Sequence, residues 1–209
     1  MHSLSPYVED TVNPVINYTE SAVNSIEIMK VASKVLRTNI NKTTAERALF
    51  ARYLVHLVGD IHQPLHSVAL FNESFPKGDV GGNFLKVVLK NGSTSNFHSY
   101  WDAGGYLLQN DSWVMVRPLK MQNLTALKEV ASQLVNQYGK EESFLIAQNT
   151  TYPYVATTNK LNDEYIHLTY ETSKKRITLA GFRLANYIKD IYKSIAKTAP
   201  TESDNMTPH

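Results

Sequence analysis

Apolar residues recur at helical intervals along most of the chain and alternate in steps of two in a single place. In NYTESAVNSIEIMKVASKVL, Ala22, Ile26, Met29 and Ser33 fall on one face with Val23 and Val35 beside them. This predicts helix from about Tyr7 to Leu36, in two pieces with Pro14 near the start of the second. Thr43 followed by Glu46 is a capping-box signal. It predicts a helix through the mostly apolar AERALFARYLVHLVGD that reads as buried, runs to about Ile61 and stops ahead of Pro64. Ser67 to Asn83 reads as a loop. FLKVVLKNGSTSNFH alternates around Asn91-Gly92, a two-residue hairpin signal and the only β structure expected. Further helices are expected from His98 to Gln109, over Leu124–Tyr138, around EESFLIAQ, and from Ser173 to Lys197. Leu127, Val130, Ala131 and Leu134 line one face of the second of these, and Ile177, Leu184, Ile188, Ile191 and Ile195 form the stripe of the last. The class is mainly α, with one small β-hairpin, in one domain over residues 2–197. The polar residues 198–209 are expected to be a disordered tail.

Composition narrows the chemistry. A chain of 209 residues supports one substantial core, and a formal charge of +2 is too small to imply a basic nucleic-acid footprint. No apolar run approaches the roughly 18 residues needed to cross a membrane. With no cysteine, any zinc must be held by His, Asp, Glu or backbone atoms. Asn-x-Ser/Thr acceptor patterns stand at Asn17, Asn41, Asn72, Asn91, Asn110, Asn123, Asn149 and Asn205, which suggests a secreted, glycosylated protein. The opening MHSLSPYVED is polar and is no signal peptide, so either the protein is intracellular or this is not the true start of the polypeptide.

The chemistry concentrates in HLVGDIHQPLH, His56 to His66. His56 and Asp60 are one helical turn apart and share a face; His98 and Asp102, in FHSYWD, repeat that spacing on a second predicted helix. His66 follows the first helix after the Pro64 turn. Burying such groups costs several kcal/mol unless each finds a partner. Either they satisfy one another as ion pairs, or helices converge to hold a metal, since one turn supplies at most two ligands. His62, two residues after Asp60, should point away from that face and be structural; His167, in NDEYIHLTY, reads as a packed or surface residue. Tyr100 and Trp101 read as core, Lys77 and Asp79 as a solvated loop, and Gly181 as a point of close helix approach.

The order HLVGDIHQPLH, GDVGGN (Gly78 to Asn83), FHSYWD, with ITLAGFRLANYI near the C-terminus, resembles the S1/P1 family of zinc-dependent nucleases. EES at Glu141 to Ser143 stands where members show a Trp-x-Glu-Ser type element, here without the tryptophan. The resemblance implies a multi-helix fold similar to zinc phospholipases C, three zinc ions in a cleft, and cleavage of single-stranded DNA and RNA to 5′-phosphate products, with 3′-nucleotidase activity. It implies that His66, His98 and Asp102 form one complete zinc site, and that His56 and Asp60 belong to a second, with Asp60 bridging to a third ion as the catalytic carboxylate. Gly81, Gly82 and Asn83 would face the nucleobase.

The family's N-terminal ligand segment has no match. Met1-His2 stands close to the family spacing before His56, so His2 is the candidate fourth ligand of the second site, with Ser3 where an aromatic residue stacks a base. The chain thus reads as a member lacking its first segment and as a monomer, with single-stranded nucleic acid or nucleotide as substrate and no membrane. The full-length form would be secreted or endomembrane/lysosomal. Two other readings stay open: a phospholipase C-like lipid phosphodiesterase, and a non-catalytic remnant with one structural zinc.

Overall fold

The computed structural model describes residues 5–8, 23–38, 43–108 and 135–198. The expectations for His2, for residues 9–22 and 124–134, and for the tail beyond 198 lie outside the described residues. The described chain is mainly helical, as the spacing predicts.

Strand β1 (Ser5–Val8) is followed by helices α1 (Ser25–Arg37) and α2 (Thr44–Asp60). A 3₁₀ turn over Pro64–Ser67 leads into β2 (Val68–Phe71). Strands β3 (Lys86–Val88) and β4 (Thr94–Asn96) precede α3 (Phe97–Asp102). Helix α4 (Val135–Ile146) passes through a π-helical stretch, Ala147–Thr151, into α5 (Tyr152–Thr157), and α6 (Asp163–Thr198) closes the fold.

Helix α2 begins as expected. The Thr43 side chain accepts from the Glu46 amide, and Glu46 returns a bond to the Thr43 backbone. It ends at Asp60, ahead of Pro64, but it is not buried all round: Leu54, Leu57 and Val58 are inside, while Leu49, Tyr53 and Val55 are about half exposed. Its apolar residues do not form one stripe, and only one face meets α1 and α6. Met29, Ala32, Leu54, Val58 and Ile191 form the core there.

Several boundaries differ from expectation. Tyr7 and Val8 lie in β1, not in a helix; they pair in parallel with Leu70 and Phe71. Val68–Phe71, expected as loop, is a fully buried strand. A run of four apolar residues has no period to read, and its partner is more than sixty positions away. The hairpin forms, but with a three-residue loop. Gly92 N–H donates to Leu89 O, Leu89 N–H to Ser93 O, and Gly92 takes the positive φ of +81° while Asn91 does not. Helix α3 stops at Asp102 because Gly104 and Gly105 follow at positive φ. Helix α6 starts at Asp163, ten residues early, where Asn162 accepts from the Tyr165 amide as an N-cap.

Tyr100 and Trp101 are core residues, packed with Phe97, Tyr152 and Tyr165 in a second cluster. On α6, Ile177 and Ile188 of the expected stripe are exposed; the buried positions include Leu179, Ala180, Arg176 and Arg183. Gly181 is not a point of close approach: a Cβ there would meet nothing within 4 Å. Among the described residues no helix is long and apolar enough to cross a membrane.

Candidate metal centre

The two helix pairs and the turn between them converge in part. His66 leaves the 3₁₀ turn after α2 with its Nε2 3.1 Å from His98 Nε2. Asp102 Oδ1 lies 3.2 Å from His66 Nε2, and Asp102 Oδ2 lies 3.6 Å from His98 Nε2. A tetrahedral zinc at 2.0–2.1 Å from its ligands sets their atoms about 3.3 Å apart. The three separations match the edges of such a site, leaving a fourth corner, and no other group of three metal-ligating side chains is found among the described residues.

The orientation of His98 is set by the GDVGGN loop. His98 Nδ1 donates to the Gly81 carbonyl at 2.7 Å, which leaves the Nε2 lone pair facing His66 and Asp102. The His98 amide bonds to Gly82 O, and an ideal Cβ on Gly81 would overlap the Leu65 carbonyl at a φ of +61°. Only glycine allows this approach. The loop itself is folded around Asp79, which is fully buried, not solvated as its sequence context suggested; Lys77 is exposed. Asp79 Oδ1 accepts from the Leu70 amide and Oδ2 from the Tyr152 hydroxyl, at 2.9 and 2.8 Å. Burial pushes the Asp79 carboxyl above its ordinary pKa, against the pull of these bonds and of the Gly82 and Gly81 amides.

Asp102 is tuned the other way. Burial opposes its ionisation, but bonds from His66 and from Gln63 Nε2 (2.8 Å), with the fields of His98 and His66, hold its pKa below the usual value. The Gln63 oxygen accepts the Leu65 amide, so one side chain ties the Pro64 turn to the α3 carboxylate.

The second pair is less assembled. Asp60 Oδ2 lies 3.2 Å from His56 Nε2 and 3.8 Å from His66 Nδ1, behind the face that His66 turns to His98. The His56 side chain is 70% exposed. Asn83 donates one amide proton to Val80 O at 2.8 Å and is half-buried. His62 points away, as its position predicts: Nδ1 donates to Val58 O at 2.7 Å, and Nε2 accepts from Arg183 at 2.9 Å. Burial, then the Arg176 charge, lowers its pKa to about 3. His167 is exposed.

A cavity of about 370 Å³ adjoins the centre, with Asp60, His66 and Asp102 on one wall and Val55, Ile177 and Leu184 of α2 and α6 on another. Sequence reasoning missed Gln63, Asp79 and the Gly81 carbonyl as parts of the centre. For Gln63 the available sign was a polar residue between Ile61 and Leu65; Asp79, among lysine and glycines, gave none.

The S1/P1 Nuclease family profile matches residues 5–193, so the chain belongs to that family. Nuclease P1 of Penicillium citrinum is 27% identical over 94% of this chain and 78% of its own length. Nuclease S1 of Aspergillus oryzae is 26% identical over 80% of this chain, which spans 62% of it. Endonuclease 4 of Arabidopsis thaliana is 28% identical, over 88% of this chain and 61% of its own length.

Proposed function

We propose that the protein is a zinc-dependent endonuclease that cleaves single-stranded DNA and RNA to 5′-phosphate products and removes 3′-phosphates from nucleotides. The observation that carries this reading is the convergence of His66, His98 and Asp102 at tetrahedral-edge distances inside a nuclease-family chain. In the reaction, water adds to phosphorus and the P–O3′ bond breaks, leaving a 5′-phosphate and a 3′-hydroxyl.

Bound zinc would supply positive charge to the reacting phosphate and lower the pKa of the attacking water. The chain's residues hold and orient. His66, His98 and Asp102 would hold one ion, with the Gly81 carbonyl fixing the His98 ring. His56 and Asp60 would contribute to a second site, with Asp60, between His56 and His66, as the catalytic carboxylate. His2 completes that second site; support comes from Ser5, three positions on, which pairs with Val68, two positions after His66. Asn83, with its Oδ1 and one remaining amide proton, and the Gly81-Gly82 backbone meet the edge of an unstacked base. We assign a single domain over residues 2–197, acting as a monomer, and a secreted or lysosomal glycoprotein.

One observation favours a second reading, a remnant with one structural ion. Among the described residues only one group converges, while His56 and Asp60 offer two ligands. Metal analysis of the purified chain, with hydrolysis of denatured DNA before and after chelation, tests both. Three zinc ions and chelator-sensitive cleavage support the nuclease. One ion and no cleavage at any zinc concentration support the remnant.

A further inference from the structure

Beneath the turn that joins Asp60 to His66, two buried arginines of α6 meet a half-buried glutamate of α4. Arg176 and Arg183 are 6% and 0% exposed. Glu142 accepts from both, at 2.5 Å from Arg176 and at 2.8 and 2.7 Å from Arg183. Each arginine then reaches the turn. Arg183 donates to the His62 ring at 2.9 Å, and Arg176 Nε donates to the His62 carbonyl at 2.9 Å. Ser143, beside Glu142, donates to the Ile61 carbonyl at 2.6 Å and accepts from Arg176 at 2.9 Å.

The turn's own amide bonds are local: His62 to Gly59, Gln63 to Asp60, and His66 to Gln63. They shape the turn without saying where it points. A buried ion cluster adds little net stability over apolar packing of the same volume. What it adds here is direction, because three bonds of fixed geometry converge on the two residues that separate Asp60 from Gln63. Gln63 in turn holds Asp102.

We infer that Glu142 is a positioning residue: through Arg176 and Arg183 it fixes the Ile61–His62 turn, and so the placement of His66 and Gln63 toward His98 and Asp102. The inference rests on the reading of that group as a zinc site. It assigns no contact between Glu142 and metal or substrate.

The test compares zinc affinity, by competition with a chromophoric chelator, in the full chain and in Glu142→Gln. The expected loss is about 10- to 100-fold, the range found for groups that orient ligands. In the metal-free protein, amide exchange at His62, Gln63 and His66 should accelerate. Met29→Ala, buried in the α1–α2–α6 cluster, supplies a control for general loss of stability: it should lower Tm and leave affinity unchanged. Unchanged affinity in Glu142→Gln, or an equal loss in Met29→Ala at matched Tm, overturns the inference. Should Glu142→Gln fail to fold, Ser143→Ala decides: weakened zinc affinity supports the role, and wild-type affinity overturns it. If the parent chain binds no zinc, the metal reading itself falls, an outcome distinct from equal binding by parent and variant.

Discussion

His98–Asp102 and His56–Asp60 are encoded alike, as histidine and aspartate one helical turn apart, and the fold treats them differently. The first pair meets a third side chain, His66, and its histidine is held by a backbone carbonyl. The second projects from the end of α2 with the imidazole largely in solvent. Identical spacing therefore places two donors on one face in both cases, and in neither case does it make a site. The centre at α3 exists because a glycine-rich loop and a proline-bounded turn approach that helix from two sides.

Removing a ligand from the assembled group should have the largest effect. His98→Ala is expected to weaken zinc binding by more than about 100-fold, beyond the range for groups that only orient ligands. Chelator competition measures it, and affinity close to wild type would break the contrast between the two pairs.

Gly81→Ala comes next. The added methyl collides with the Leu65 carbonyl at a φ of +61°, for an expected cost of about 2–4 kcal/mol in urea unfolding, with weakened zinc binding. Gly92→Ala sharpens the comparison. Its φ is also positive, at +81°, but a Cβ there has open space, so the cost should be about 1–2 kcal/mol with zinc affinity kept.

The turn linking the two pairs should respond to acid. The pKa of His62, about 3 when folded against 6.5 ordinarily, means that the fold favours the neutral ring. That contribution is fully present above pH 6.5 and is lost as pH falls toward 3. For the metal-free protein this predicts a loss of about 2–3 kcal/mol between pH 7 and pH 4.5. His62→Gln, whose amide oxygen can still accept from Arg183, should flatten that slope in urea titrations. An unchanged slope would place the acid sensitivity elsewhere. Asp102 and Glu142, both held below their ordinary values, add their loss only at lower pH, once their carboxylates protonate.

The smallest effect is expected at His56. His56→Ala should shift stability by less than about 0.5 kcal/mol, as at other exposed positions, and leave zinc at His66, His98 and Asp102 in place. Metal analysis should show loss of ions other than that one. Loss of all zinc from this variant would mean that the two pairs work as one unit.

Much of this was legible along the chain. The capping box at Thr43 and Glu46, the end of α2 ahead of Pro64, and the shared face of each His–Asp pair follow from contacts no more than four residues apart. What was misread depended on partners far away. Asp79 looked solvated among glycines and lysine, yet Leu70 and Tyr152 take its carboxylate inside. The buried face of α6 was sought among its isoleucines, and Arg176 and Arg183 share it because Glu142 pairs with both.

By itself the sequence determined the helices around the centre, the four-residue spacing of its donors, the hairpin, and the ordered motifs that mark the family. Hydrogen bonds and side-chain faces within a turn depend only on local geometry, so they can be read in order along the chain. The tertiary structure alone decided which donors meet. His66 reaches His98 across thirty-two positions, and the Gly81 carbonyl reaches the same ring across seventeen. Distances of that kind are set by how separate segments pack, and no local pattern carries them.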